Sequence, residues 1–571
     1  MRLDGVLLTL GLVALGARAE LPPPPEIAAG FTLSPPAEGA RFMAVTANPH
    51  ATDAAVAVLR QGGSALDAAI AAQMVLGVVE PQSSGIGGGG LLMYFDARTR
   101  RIDAWDGRET APLAASRFPF TDASGAPLGF LDAVRDPRSV GTPGLVAMLA
   151  AAHAESGRLP WARLFEPAIR LADEGFAVTP RLHHLLAYEG RFADPALQAH
   201  FFDAVGQAWP VGHRLRNPAL ADSLRRIAAE GPEALRRGAL AEAISDAVRA
   251  GLPADVADAR GLLGRRDLLA YAPTRREALC RPFRGYRVCG FPPPSSGATT
   301  VLAMLGIWRA LPAGAPPEST AFAHQFAEAG RLAYADRAGC VGDPAFRPVP
   351  VPVPVAALLD DRYLARRAAL VGEMAGPARR SAGIDCAAPG EEGERPSTTH
   401  LSIVDAAGNG VALTSSIEDA FGNRRMAGGF LLNNQLTDFS TEGANRLEPG
   451  KRPRSSMAPT FVFDRKGRLF AVLGSPGGSQ IPNYVAQALL GLLEGGLSPA
   501  QIVSQPRLGS RNGPTEVERG RMAQDVIDGL RARGHALREV DMTSGIALVV
   551  RGGKGWIGAA DPRREGRAGG E

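Results

Sequence analysis

The 571-residue sequence is 45% hydrophobic and 21% charged, with a formal net charge of +4. Those values belong to an ordinary folded protein with a large core, not to a disordered, collagen-like or disulfide-scaffold chain. Its basic residues are almost all arginine and are scattered, so no nucleic-acid footprint is present.

The chain opens as an export signal. Arg2 supplies a short basic region, Gly5–Leu15 is an apolar run, and Ala17-Arg18-Ala19 has the small-x-small pattern of a cleavage site. The run is too short to span a membrane comfortably. A signal peptide over 1–19 is therefore expected, with an exported, periplasmic or secreted, mature protein and no stable membrane anchor. Pro22–Pro25 reads as a polyproline linker.

From Asp53 to Val79 the Ala, Val and Leu spacing predicts packed helices broken at Gly62-Gly63. Gly85-Ile86-Gly87-Gly88-Gly89-Gly90 satisfies the dinucleotide pattern G-x-G-x-x-G. That fingerprint must follow a strand and open a helix. Here a helical pattern precedes it and the strand Leu91–Asp96 follows, so the run reads as close backbone packing. Residues 140–275 read as mostly helical. Cys280 and Cys289 flank a hairpin and could pair across it in an oxidising compartment. Cys340 and Cys386 are too far apart in sequence to judge. No cysteine has zinc-site spacing, so no metal is expected. Pro348–Val355 reads as an extended surface segment, and 376–397, with Gly390–Glu394, as an exposed linker.

Ser397-Thr398-Thr399 then stands directly before an alternating strand, Leu401–Asp405. Such a run ordinarily forms a turn or cap. A chain that cuts itself between Ser397 and Thr398 needs the hydroxyls for another reason. The cut would leave Thr398 with a free α-amine beside its own hydroxyl, a nucleophile and a base on one residue. An α-amine titrates near ~7.7–8.0, so it can take the hydroxyl proton, whereas the uncut amide nitrogen cannot. Beyond Thr398 the pattern turns to strands at Val411–Thr414, Gly429–Leu432, Thr460–Asp464, Leu469–Gly474, Gly545–Val550 and Gly555–Ala559. Helices are expected at Asn483–Leu493 and Gly520–Arg533, and a loose tail from Arg563. Helices outside two stacked sheets is the layering this order suggests.

From about Arg41 to Arg564 the chain resembles the γ-glutamyltranspeptidases, or glutathione hydrolases, of the N-terminal nucleophile hydrolase superfamily. The likeness rests on Ala47–Ala51, Gly62–Ala69, Val79–Gly90, Arg108–Pro112, Ser139–Gly144, Pro292–Gly297, Tyr334–Arg337, Thr398–His400, Asn433–Gln435, Lys451–Met457 and Gly474–Gly478, in that order. The resemblance implies a four-layer αββα sandwich, made as one precursor and cut at Ser397/Thr398 into a large piece, 20–397, and a small piece, 398–571. It implies Thr398 as nucleophile and Gly477 and Gly478 as oxyanion hole. It implies a carboxylate grip from Arg108, Ser455 and Ser456, and an ammonium grip from Gln435 and Asp438. It calls for no cofactor. The partners it implies are a small γ-glutamyl donor and an amino acid, peptide or water as acceptor.

Three departures stand out. Ser416 takes the place of the usual Thr beside the nucleophile. Glu418 takes the place of the usual Asn near the ammonium, where it would attract the ammonium or be neutralised by Arg424 or Arg425. Thr441–Gly450 is too short for the usual lid, so an open cleft is expected. The expected activity is γ-glutamyl transfer or hydrolysis. The alternatives are a glutaryl-type cephalosporin acylase on the same scaffold and a non-catalytic exported relative. The presence of Asp438 and Glu418 favours a substrate with an α-ammonium, and the intact Thr398, Gly477 and Gly478 favour an enzyme.

Overall fold

Two seven-stranded antiparallel sheets lie face to face in the computed structural model, which describes residues 30–117, 120–122, 124–252, 261–346, 354–386 and 397–571. The strands are β1 (Ala37–Gly39), β2 (Met43–Thr46), β3 (Gly89–Asp96), β4 (Arg101–Gly107), β5 (Thr274–Arg276), β6 (Leu279–Phe283), β7 (Tyr286–Gly290), β8 (Ser397–Val404), β9 (Gly410–Glu418), β10 (Thr460–Phe463), β11 (Leu469–Gly474), β12 (Ala547–Gly552), β13 (Gly555–Ala560) and β14 (Arg567–Gly570). The first sheet runs β14-β2-β8-β9-β3-β4-β5 and the second β1-β13-β12-β11-β10-β7-β6.

Alternation along the strands sets the layers. In β8, Leu401 and Ile403 join a core shared with a helical layer, while Val404 joins the core shared with the second sheet. In β3, Leu92 and Tyr94 face the helices while Leu91, Met93 and Phe95 face the sheet. Successive side chains of a strand point to opposite faces, and here both faces are covered. Helices α1 (Pro49–Arg60) and α2 (Ala65–Val79) cover the first sheet; α3 (Gly297–Ala310), α4 (Thr320–Cys340) and α5 (Ile481–Leu493) cover the second. The result is a four-layer αββα sandwich.

Helix α2 lies deepest. It is apolar nearly all round, as a fully enclosed helix should be. Ser64 and Asp67 form a reciprocal capping box at its start, and Pro81 follows its end. Breaking the helices at Gly62-Gly63 is borne out, as are β10, β11 and the Cys280–Cys289 pair, which sits at directly opposed positions of the β6–β7 hairpin. The glycine run does link a helix to a strand. A second disulfide, Cys340–Cys386, was not legible in the sequence.

Two expectations are corrected. The tail is not loose: β14 pairs with β2 over four residues, and Arg563 and Arg564 are buried. The central strand begins at Ser397 and not at Leu401, because the hydroxyl residues themselves pair with β9. The signal peptide over 1–19, Pro22–Pro25, most of Pro348–Val355 and Gly390–Glu394 lie outside the described residues.

Candidate active site

Thr398 sits on β8 opposite Ser416 of β9, while Ser397 is opposite Glu418, so the register slips at the 397–398 bond and Ile417 is left as the extra residue. A bulge at this place bends one strand and re-aims its side chains. By alternation Thr398 and Ser416 look into the space between the sheets. Ser397, Thr399 and Ser415 look toward the helical layer, and there Ser397 Oγ meets Ser83 Oγ at 3.3 Å, Thr399 Oγ1 donates to Glu80 at 3.3 Å and Ser415 Oγ donates to Gln73 at 2.7 Å. The three hydroxyls at the strand entrance thus have different partners on two faces.

Ser416 Oγ is the hub. It donates to the Ser397 carbonyl at 2.7 Å, accepts the Glu418 N–H at 2.9 Å and accepts from Thr398 Oγ1 at 3.4 Å. A hydroxyl has one donor and two acceptor positions, so all three are used. The Thr398 carbonyl accepts from Arg564 Nη1 at 3.4 Å.

A cleft of about 240 Å³ opens beside this hub, lined by Arg108, Thr398, Ser416, Gln435, Asp438, Ser455, Ser456, Met457 and Ile481. Seven of the ten predicted catalytic and binding residues therefore meet here, from segments far apart in sequence. Arg108 follows β4 and is 1% exposed. It donates to the carbonyls of Pro453 (3.2 Å) and Arg454 (2.9 Å) and pairs with Asp438, to which Gln435 Nε2 also donates at 2.6 Å. It is no surface ion pair. Glu109, directly behind it, lies 3.8 Å from Arg108 Nη1. Burial, partly offset by that guanidinium, pushes the Glu109 carboxyl up to about 7. Ser455 Oγ accepts the Met457 N–H at 3.1 Å, and Ser456 Oγ accepts from Arg337 Nη2 at 2.8 Å.

Gly477 and Gly478 lie between β11 and α5, whose first residue, Ile481, lines the cleft. Both have positive φ, 127° and 62°. A side chain at Gly477 would also strike the Tyr484 ring, 2.5 Å from Cε2. Glycine is thus required there by both conformation and space. Among the described residues neither N–H finds an acceptor.

Glu418 does not line the cleft. It is fully buried at φ 81° and accepts from Asn434 Nδ2. Arg424 pairs instead with Glu189 and Asp419, and Arg425 donates to the carbonyls of Ala247 and Ala250. None of residues 441–450 lines the cleft. Asn445 fastens to the Asp438 carbonyl at 2.7 Å and Leu447 packs with Leu436 and Phe439. In the uncut chain Thr398 itself is buried, at 0% exposure. Sequence reading missed Glu80, Ser83, Glu109, Arg337, Asn434 and Arg564. Their neighbourhood shows only once the strands are paired.

Two helix-flanked antiparallel sheets, with a threonine at the start of a central strand where a cut would make it N-terminal, define an N-terminal nucleophile hydrolase. The chain belongs to the gamma-glutamyltranspeptidase family, whose model matches residues 51–571. It is 32% identical to the glutathione hydrolase proenzyme of Bacillus subtilis (strain 168), across 99% of this chain and 96% of that protein. It is 35% identical to the acylase ACY 1 proenzyme of Pseudomonas sp. (strain V22), across 95% and 96%. Among solved structures, the cephalosporin acylase of Bacillus halodurans superposes with a TM-score of 0.81 at 27% identity, covering 94% of this chain and 97% of that one.

Proposed function

We propose that this chain is the exported, self-cleaving precursor of a γ-glutamyl hydrolase and transferase that acts on glutathione-like amides. In maturation Thr398 Oγ attacks the Ser397 carbonyl carbon. The C–N bond breaks, the nitrogen takes up the hydroxyl proton, and water resolves the resulting ester. The Ser416 O–H on the Ser397 carbonyl supports this step, because it is already aimed at the oxygen on which charge develops.

In turnover the new α-amine takes the Thr398 proton as Oγ attacks the γ-carbonyl. The tetrahedral oxyanion is held by the Gly477 and Gly478 N–H groups, and losing one such donor costs roughly 10²–10³ in rate. The amine of the donor leaves with the proton, and water or an amino acid takes the acyl group from Thr398.

The observation that carries the substrate class is the buried Arg108–Asp438 pair in the Thr398 cleft. An α-amino acid head is the mirror image of that pair. Its carboxylate replaces Asp438 on the Arg108 fork, aided by Ser455 and Ser456, and its ammonium takes over Asp438 with Gln435 beside it. A glutaryl group brings only the carboxylate and strands Asp438 in the interior, a cost of several kcal/mol. The likeness to a cephalosporin acylase supports a glutaryl-type acylase as the second reading. Turnover of γ-glutamyl and glutaryl p-nitroanilides separates the two. A kcat/KM at least tenfold higher for the γ-glutamyl compound is expected; equal or better turnover of the glutaryl one overturns the assignment. Export is supported by the two disulfides, which persist in oxidising compartments. Among the described residues no helix is long and apolar enough to cross a membrane.

A further inference from the structure

His400 lies two residues past Thr398 on the same face of β8, and it is 1% exposed between the sheets. Its ring is bonded at both ends: Nδ1 lies 2.8 Å from Thr414 Oγ1, on the paired strand β9, and Nε2 lies 3.1 Å from Ser402 Oγ. The tautomer follows from the partners. Ser402 spends its hydrogen on the Ala547 carbonyl at 2.9 Å, so it accepts from the imidazole and Nε2 carries the proton. Nδ1 is then the bare nitrogen and accepts the Thr414 hydroxyl. Burial pushes the ring down to about 3, so it stays neutral in ordinary buffers.

The ring also fills the space over Gly474. A Cβ there would lie 2.6 Å from His400 Nδ1 and 2.7 Å from Nε2. Gly474 ends β11 and pairs with Ala547 of β12, the same residue whose carbonyl Ser402 holds. Contact and hydrogen bond thus converge on one point of the second sheet, three residues before Gly477. The sheet carrying Thr398 and the turn carrying the N–H groups are joined there.

We propose that His400 is a positioning residue, a neutral post that sets the gap between the Thr398 hydroxyl and the Gly477–Gly478 N–H groups. It touches neither substrate nor reacting atoms. The role rests on the function proposed above, since it presumes that those N–H groups receive the oxyanion. A post of this kind acts on the transition state, in which the oxyanion must meet both donors at once, and not on the amino acid head held by Arg108 and Asp438.

The test uses the full-length chain, matured, with rates on γ-glutamyl p-nitroanilide expressed per mole of cleaved protein. In His400→Ala, kcat is expected to fall about ten- to a hundredfold, less than loss of a whole donor, with KM within about threefold of wild type. His400→Gln, which keeps a donor and an acceptor, should retain more kcat than His400→Ala. Gly474→Ala should lower kcat by pushing on the ring, and His400→Ala combined with Gly474→Ala should recover part of that loss, because the alanine then has room. A kcat for His400→Ala within twofold of wild type overturns the proposal. So does a loss confined to KM, or a double variant no better than Gly474→Ala alone. Loss of the wild-type pH profile's acid limb in His400→Gln would make the imidazole a base and overturn it as well. If His400→Ala does not accumulate, His400→Gln and the Gly474 pair decide. A wild-type enzyme inert toward the anilide overturns the proposed function instead.

Discussion

Both carboxyl oxygens of Glu109 are sealed in the interior, against the backbone of Gly89, and among the described residues they find no hydrogen-bond donor. The nearest guanidinium nitrogen, Arg108 Nη1, is 3.8 Å away, and the same guanidinium is engaged through Nη2 by Asp438. Burial therefore raises the carboxyl from 4.5 to about 7. The folded chain then holds this proton across a pH range in which the unfolded chain has released it. Stability falls as pH rises from about 4.5 to about 7 and stays reduced above, by an amount of order 3 kcal/mol for this group. Glu109→Gln should accordingly raise the thermal midpoint at pH 8 and leave it nearly unchanged at pH 5. An equal change at both pH values would show that the proton is not held. At this scale the sequence was informative where a residue type is odd for its place, as with three hydroxyls at the mouth of a buried strand. It was silent where the oddity is made by folding. Glu109 looks like any neighbour of an arginine until Gly89 and Gly141 close on it.

Strands were legible where both boundary and alternation lie in the sequence: Leu469–Gly474 is bounded as expected. β9 runs on to Glu418, well past the expected Thr414, because its later residues are polar and owe their place to pairing with Ser397 and Thr398. β14 was missed for a similar reason. Arg567-Ala568-Gly569-Gly570 has no strand-forming side chains, and what makes it a strand is the open edge of β2. Its removal tests that account. Deleting 566–571 strips four paired positions from β2 and the carbonyl of Glu571 from Arg41 and Phe42. At about 1 kcal/mol for each lost hydrogen bond, a destabilisation of at least about 3 kcal/mol is expected, read as a lower midpoint in denaturant. An unchanged midpoint would mean that the edge needs no partner.

At the scale of the molecule the order of strands matters more than their number. β8 from Thr398 onward, β9 and β14 of the first sheet follow the 397–398 bond, and β2, β3, β4 and β5 precede it; the second sheet is mixed in the same way. Neither piece owns a complete sheet. After cleavage the two pieces are therefore expected to elute together on a sizing column and to separate only in denaturant, with Thr398 as the first residue of the smaller. Thr398→Ala should run as one band under both conditions, and two bands from that variant would remove Thr398 from its role. The layered class could be read from element order alone. The interleaving could not, because it depends on which edge each strand finds.

The Cys340–Cys386 bridge fastens the last described stretch before β8 to the end of α4. Between Cys386 and the 397–398 bond lie only eleven residues of sequence. A backbone broken there would let go of a moored end and not a drifting one. Reduction of that one sulfur–sulfur link would take away the covalent anchor nearest the broken end.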